Sequence, residues 1–399
     1  MKIKQYLNHM IGNKKEIKID EKISKPSPLI LYRGPNKGPD FSIDARKKLI
    51  TQLKKEHTSK SYKPNFCLLI ISRGCHYECK MCNYWKEDKT TTPALTYEEI
   101  TTVIDDLKRI TDEDMVVHLI GGESMLFPRF IDVVKYVRSK GFRCSVSTNG
   151  GLITKSMAKK LIDADITGIF CSLDSIDEKK HDYLRGTKGA YKRVMNAIDN
   201  LHNYKLKMKS KLCIGVTITM MQYNLNDVIP MVDWANDNEK INDVFINAVM
   251  QPFFNEDNSK DWYKKKQYEL IWPQNLKEVH NILDQLKDRK KKGWKISNPA
   301  FQLHVVKQYF STPWKYVKNF NMKCPRGDLA LEIDTCGNIN MCFYNKPIGN
   351  IRKISLYDAW YSDKMLKSRY KINTCRQDCD LAINCFYMPK NITDFVTDF

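Results

Sequence analysis

The sequence predicts an α/β protein: a partial (β/α)6 barrel of the TIM type, followed by a small C-terminal α+β unit made of a hairpin and a helix. Three observations carry this. Short apolar runs alternate with amphipathic helical stretches from residue 66 to residue 249. A loop with three closely spaced cysteines follows the first run directly. After residue 323 the composition changes to a glycine-turned hairpin, a helix and a second group of cysteines.

FCLLIIS (66–72) has the composition of a strand buried on both faces. TYEE (96–99) has the form of a capping box, and Ile100, Val103, Ile104 and Leu107 share one face of the helix it opens. VVHLIG (116–121) is the next strand, and RFIDVVKYVRSK a helix stopped by Gly141. The alternation continues through CSVST (144–148), SMAKKLIDA, GIFCSL (168–173), AYKRVMNAIDNLHNY, LCIGVTIT (212–219), VIPMVDWANDN and VFINAV (244–249). Repeated strand–helix units imply parallel strands with crossover helices, too few here to close an eight-fold barrel. Chemistry then belongs at the C-terminal ends of the strands. The barrel is expected over 63–250, after a polar, basic arm at 1–62 that carries no evident chemistry. Residues 251–322 read as a bridge with aromatic clusters and a helix near 275–290. The cations of DRKKKGWK suit that helix's C-terminus, closed by Gly293. LALEID-TCGN-INMCFYN reads as a hairpin about Gly337 and Asn338, and SLYDAWYSDKMLKSRY as a helix, within a last unit at 323–399.

The 399 residues and 42% hydrophobic content suffice for a sizeable core. No apolar run approaches the roughly 18 residues of a membrane span, and the charged N-terminus has no signal-peptide core, so a cytoplasmic protein is expected. In a reducing compartment, the clusters among the thirteen cysteines are metal ligands before they are disulfides. Cys67, Cys144, Cys171 and Cys213 sit singly in strand-like runs and read as small buried hydrophobes.

SRGCHYECKMCNYW places Cys75, Cys79 and Cys82 as C-x3-C-x2-C. Thiolates select soft metals and iron–sulfur clusters. A zinc site would recruit a fourth ligand nearby. A [4Fe–4S] cube with three cysteines keeps one iron open for a small molecule. This motif, placed after a first strand and followed by GGE (121–123), STNG (147–150) and SLDS (172–175) at successive strand ends, resembles the radical S-adenosylmethionine (radical SAM) superfamily over roughly 64–250.

The resemblance implies that SAM chelates the open iron. Gly121, Gly122 and Glu123 would meet its amino group, and the glycines would allow close backbone approach. Ser147, Asn149, Ser172 and Asp174 would line its ribose and methionine, and Arg185 would pair with its carboxylate. Thr217, Thr219 and Asn224 are weaker candidates, and Met81 stands where relatives often carry an aromatic. The C-terminal pattern, C324-x11-C336-G-x4-C342 and then C375-x3-C379-x5-C385, resembles the SPASM/twitch extension. That implies one auxiliary [4Fe–4S] cluster on Cys324, Cys342 and two of Cys375, Cys379 and Cys385, with Cys336 a non-ligand at the hairpin turn.

The expected activity is radical SAM chemistry, with the auxiliary cluster as electron acceptor. The substrate is a ribosomally made peptide or, alternatively, a small polar alcohol or aminocyclitol. The net charge of +20 suggests docking of an acidic flavodoxin or ferredoxin. A competing reading takes that charge as the mark of a non-catalytic iron–sulfur protein bound to nucleic acid, with WYKKKQY (262–268) its best segment. It leaves GGE, STNG and SLDS without a purpose. No membrane association is expected.

Overall fold

The structure is a computed structural model that describes residues 63–86, 92–111, 114–252, 261–313, 322–323, 326–342, 345–373 and 388–389. Six parallel strands form its centre in chain order: β1 (Phe66–Ser72), β2 (Val116–Gly121), β3 (Arg143–Thr148), β4 (Gly168–Ser172), β5 (Cys213–Met220) and β6 (Asp243–Ala248). Each is joined to the next by a crossover helix, as right-handed βαβ units require. These are α1 (Tyr97–Ile110), α2 (Phe130–Ser139), α3 (Lys155–Asp163), the pair α4 (Glu178–Arg185) and α5 (Ala190–Lys207), and α6 (Leu225–Asp237). The capping box of α1 is present: Thr96 Oγ1 accepts from Glu99 N, and Glu99 Oε2 accepts from Thr96 N. Such a cap stabilises by about 1 kcal/mol.

The two faces of the sheet differ. Leu69, Val117, Val146, Ile169, Val216 and Ile246 are fully buried and point to the helices. The alternate residues point into the barrel lumen, where Leu68, Ile120, Ser147, Thr217 and Phe245 keep partial exposure. The lumen is therefore an open space bounded by side chains. The strand cysteines Cys67, Cys144 and Cys171 are fully buried and Cys213 nearly so. Burial pushes the Cys144 and Cys171 thiols up to about 12, so they stay protonated.

The bridge is more regular than its sequence suggests. Two helices, α7 (Leu276–Lys291) and α8 (Ala300–Ser311), pack on one another, and Ile296 pairs with Val244 at the edge of the sheet. Aromatic composition in 300–311 hid the second helix. The C-terminal unit likewise joins the barrel sheet. A two-residue strand β7 (Met322–Lys323) and a short helix α9 (Arg326–Leu329) lead to the hairpin of β8 (Ala330–Ile333), β9 (Asn338–Asn340) and β10 (Gly349–Asn350). β8 pairs in parallel with β1, with Leu68 opposite Glu332, making one nine-stranded sheet. The single helix expected after the hairpin is two, α10 (Leu356–Tyr361) and α11 (Asp363–Asn373), interrupted at Ser362, whose hydroxyl accepts from Met365 N. β11 (Met388–Pro389) pairs antiparallel with β7. Residues 1–62 lie outside the described residues.

Candidate active site

The loop after β1 carries the first cysteine group, and the ends of β2 and α4 hold it in place. A loop at this position must satisfy its backbone groups locally. Ser72 O accepts from Gly122 N (3.0 Å) and Gly74 O from Glu123 N (2.8 Å). Farther along, Lys80 N donates to Leu184 O (2.8 Å), and the buried Tyr77 accepts from Arg193 Nε at its hydroxyl (2.9 Å). The GGE glycines are explained by this contact. A Cβ at Gly121 would lie 2.2 Å from Ser72 O, and at Gly122 2.3 Å from Gly74 O; Gly121 also has φ +149°. The close approach they permit is to the chain's own cysteine loop.

Cys75, Cys79 and Cys82 are half-buried, and each faces a donor. Asn149 Nδ2 stands 3.9 Å from Cys75 Sγ, Arg185 Nη1 4.0 Å from Cys79 Sγ, and Tyr84 N 3.4 Å from Cys82 Sγ. Burial pushes the Cys75 thiol up to about 11, and its neighbours Cys79 and Cys82 add to the shift. Buried thiols of this kind ionise when a metal takes the proton's place. Among the described residues no three His, Cys, Asp or Glu side chains converge on a single ion. An iron–sulfur cube does not ask for that convergence, since each thiolate binds a different iron. Three thiols on one loop, each facing a donor suited to negative sulfur, fit such a cube.

Glu123 is 1% exposed and its carboxylate is engaged within the chain. It accepts from Thr148 Oγ1 (2.9 and 3.0 Å) and Asn149 N (2.9 Å), tying the end of β2 to that of β3. Burial raises its pKa, and these bonds draw it back. Asn149 is thereby aimed at Cys75. Asp174 is fully buried, binding Arg185 Nη2 (2.7 Å) and accepting from Thr219 N (3.0 Å). Burial pushes its carboxyl up and the Arg185 guanidinium pulls it back. Asn224 braces this corner, donating to Asp174 O and Thr219 O. His181, one turn before Arg185, accepts from Asp174 N at Nδ1 (3.2 Å). Arg185 Nε is buried without a hydrogen-bond partner. The guanidinium is thus fixed between Asp174 and Cys79 with a donor to spare, as a site for an anionic group requires.

Ser147 and Ser172 are half-buried on the lumen side. The sequence reading missed His118, which bonds Ser145 Oγ at Nδ1 (2.7 Å) and Ser147 Oγ at Nε2 (2.9 Å). The available signal was a histidine inside the apolar run VVHLIG. Thr148 and Arg73 were missed as well. Arg73 reaches from the cysteine loop to the β8–β9 turn, donating to Thr335 Oγ1 (2.9 Å) and Cys336 Sγ (2.8 Å).

Of the second cysteine group, Cys336 and Cys342 lie at opposite ends of β9, Cys336 beside the first cysteine loop and Cys342 at the far end. Cys324, Cys375, Cys379 and Cys385 lie outside the described residues. The pairing of β7 with β11 sets the residue before Cys324 beside Met388, three positions after Cys385.

Residues 69–235 match the model of the radical SAM superfamily, and residues 324–381 that of SPASM, an iron–sulfur cluster-binding domain. Together they take in more than half of the chain, which belongs to the radical SAM superfamily and carries a SPASM-type domain. The cofactors that follow from these domains are SAM, the [4Fe–4S] cluster of the first loop and an auxiliary [4Fe–4S] cluster. The chain is similar to Fe-coproporphyrin III synthase of Methanosarcina barkeri, 31% identical over 43% of this chain and 40% of that protein. It is also similar to the sporulation killing factor maturation protein SkfB of Bacillus subtilis, 27% identical over 43% of this chain and 40% of that one. It thus spans less than half the length of these curated relatives. Streptococcus suis SuiB bound to S-adenosylmethionine shares the fold, with a TM-score of 0.57 at 17% identity over 82% of this chain and 73% of that one. Among the described residues no helix is long and apolar enough to cross a membrane.

Proposed function

We propose that this protein is a radical SAM maturase that abstracts hydrogen from an unactivated C–H bond of a peptide, with the auxiliary cluster accepting an electron from the substrate. The observation that carries it is the convergence of Cys75, Cys79 and Cys82 with Asn149 and the Asp174–Arg185 pair at one end of an open barrel. When bound, the cluster and SAM supply a 5′-deoxyadenosyl radical. The chain's own residues hold and shield. Cys75, Cys79 and Cys82 hold the cluster. Arg185, with Nε unpaired, takes the methionine carboxylate, and Asp174 keeps it aimed. Ser147 and Ser172 face the lumen, where they would line the nucleoside. Gly121, Gly122 and Glu123 set the loop against the strand ends, so their part in meeting the SAM amino group runs through backbone placement. Cys324, Cys342 and two of Cys375, Cys379 and Cys385 would hold the auxiliary cluster.

The peptide reading draws support from the similarity to SkfB and from the lumen wall. Thr217, Thr219 and Asn247 present uncharged hydrogen-bonding groups there, suited to amides. A small polar alcohol would be held by the same groups. The test is anaerobic reconstitution with SAM and dithionite, reading 5′-deoxyadenosine by chromatography with a short precursor peptide, an aminocyclitol or an iron porphyrin present. Stimulation and a mass loss of about 2 Da on the peptide support the reading, since an oxidising abstraction removes two hydrogens in all. Stimulation by the porphyrin or the aminocyclitol alone would reassign the substrate. No 5′-deoxyadenosine under any condition would remove the radical SAM activity.

A further inference from the structure

The outer side of α4 carries a feature that the site above does not use. An open cleft of about 530 Å³ is lined by Lys80, Glu178, Lys179, Tyr183, Thr187 and Lys188, among others. Its acids are engaged: Glu178 pairs with Lys192, and Asp182 accepts from Gly189 N and Tyr191 N. Its cations are exposed, and Lys80, Lys179 and Lys188 form no ion pair among the described residues. Beside it lies an apolar patch. The rings of Tyr183 and Tyr223 are 4.8 Å apart and 40% and 37% exposed, and Leu270, 41% exposed, accepts from Tyr223 N. Lys80 Nζ sits 5.3 Å over the Tyr183 ring.

The cleft and the cysteine loop are one piece of structure. Lys80 is the residue after Cys79, its backbone is bonded to Leu184, and Gly186 packs on the carbonyl of Glu78. Helix α4 shows Tyr183 to solvent and Arg185 to Cys79. An aromatic centre ringed by unpaired lysines, one short helix away from the cluster ligands, has the make-up of a protein-docking surface for an acidic partner.

We propose that this surface docks an acidic one-electron carrier protein of the flavodoxin or ferredoxin class. The proposal rests on the radical SAM reading above. On docking, the reduced carrier gives up one electron and the cluster gains it; no atom is transferred. Charge complementarity raises the association rate and makes it fall with salt.

The test uses reconstituted holoenzyme and flavodoxin. Titration calorimetry at about 50 mM salt, with a Debye length near 14 Å, gives affinity for the oxidised carrier. Stopped-flow absorbance gives cluster reduction by flavodoxin hydroquinone and, separately, by dithionite, which needs no docking surface. Lys179→Glu/Lys188→Glu is compared with the charge-matched Lys277→Glu/Lys291→Glu on α7, and Tyr223→Ala serves as a milder probe. We expect the cleft variant to lose at least tenfold in affinity and in reduction by flavodoxin, with dithionite reduction unchanged and the α7 variant close to wild type. Equal losses in both charge variants would mean that net charge alone acts, which overturns the proposal. So would a wild type that dithionite reduces but flavodoxin does not bind. A wild type that neither agent reduces would overturn the cluster reading itself.

Discussion

Two arginines each hold a thiol at the C-terminal end of the sheet, and they are built differently. Arg185 is buried, locked by the fully buried Asp174, and stands 4.0 Å from Cys79. Arg73 is half-buried, shared between Thr335, the Thr92 carbonyl and Cys336. The first arrangement stores a large desolvation cost that only its partners offset. The second is a set of ordinary hydrogen bonds across a seam between the cysteine loop and the hairpin. The contrast separates a residue kept charged and buried for chemistry from one that fastens two segments. It also gives the two positions different expected sensitivities.

The largest effect is expected at the buried pair. Asp174→Ala leaves the Arg185 charge buried and unpaired, and should cost about 3–5 kcal/mol. Asp174→Asn keeps an acceptor for Thr219 N and should cost less while still misaiming Arg185. Calorimetric unfolding, with SAM affinity measured on the folded Asn variant, checks both. Equal stability of Asp174→Ala and wild type would show that the pair is not locked.

The next effect reads pH. Burial holds the His118 imidazole down to about 4, against an ordinary 6.5. The unfolded chain therefore takes the proton first. The stability His118 contributes is full above pH 6.5 and is lost as pH falls toward 4. That loss is at most roughly 3 kcal/mol. A His118→Gln variant should show a flatter fall of melting temperature between pH 6.5 and 4 than wild type. Parallel curves would mean that the imidazole titrates normally in the fold. His181, held down to about 3 by burial, adds to the background acid sensitivity but is the same in both proteins.

Gly122→Ala probes the fit between strand end and cysteine loop. The added methyl would sit 2.3 Å from Gly74 O, which is backbone and cannot rotate away. Overpacking of this kind costs about 1–3 kcal/mol. Because the strain falls on the loop, iron retained after reconstitution should drop from about eight per chain toward about four, the content of the auxiliary cube alone. Full iron content would place the loop's tolerance above what the packing implies.

What the sequence disclosed follows the same division. Patterns that repeat along the chain were legible: six apolar runs became the six barrel strands, TYEE became the capping box of α1, and Gly337 became the hairpin turn. The cysteine motif was legible because ligand spacing is local. Contacts between distant segments were not. Nothing near Glu123 announces that Thr148 and Asn149 will take up its carboxylate, and nothing near Arg73 announces Cys336, 263 positions away. Nor does the hairpin's own sequence reveal that β8 will lie parallel to β1, because register between separated strands depends on which sheet edge is open.

Arg73 gives the smallest and most discriminating test of the contrast. Its side chain spans the seam and retains some solvent exposure, so Arg73→Ala should cost only about 1 kcal/mol, the net worth of hydrogen bonds that water can replace. Its second consequence separates fastening from charge. Arg73→Lys keeps the positive charge but cannot reach Thr335, the Thr92 carbonyl and Cys336 at once. If Arg73 is a fastener, the lysine variant behaves like the alanine variant in hydrogen exchange at the 334–337 turn, with both turns opening faster than in wild type. If the charge is what acts there, lysine restores wild-type protection, and Arg73 belongs with Arg185 among the residues kept for their charge.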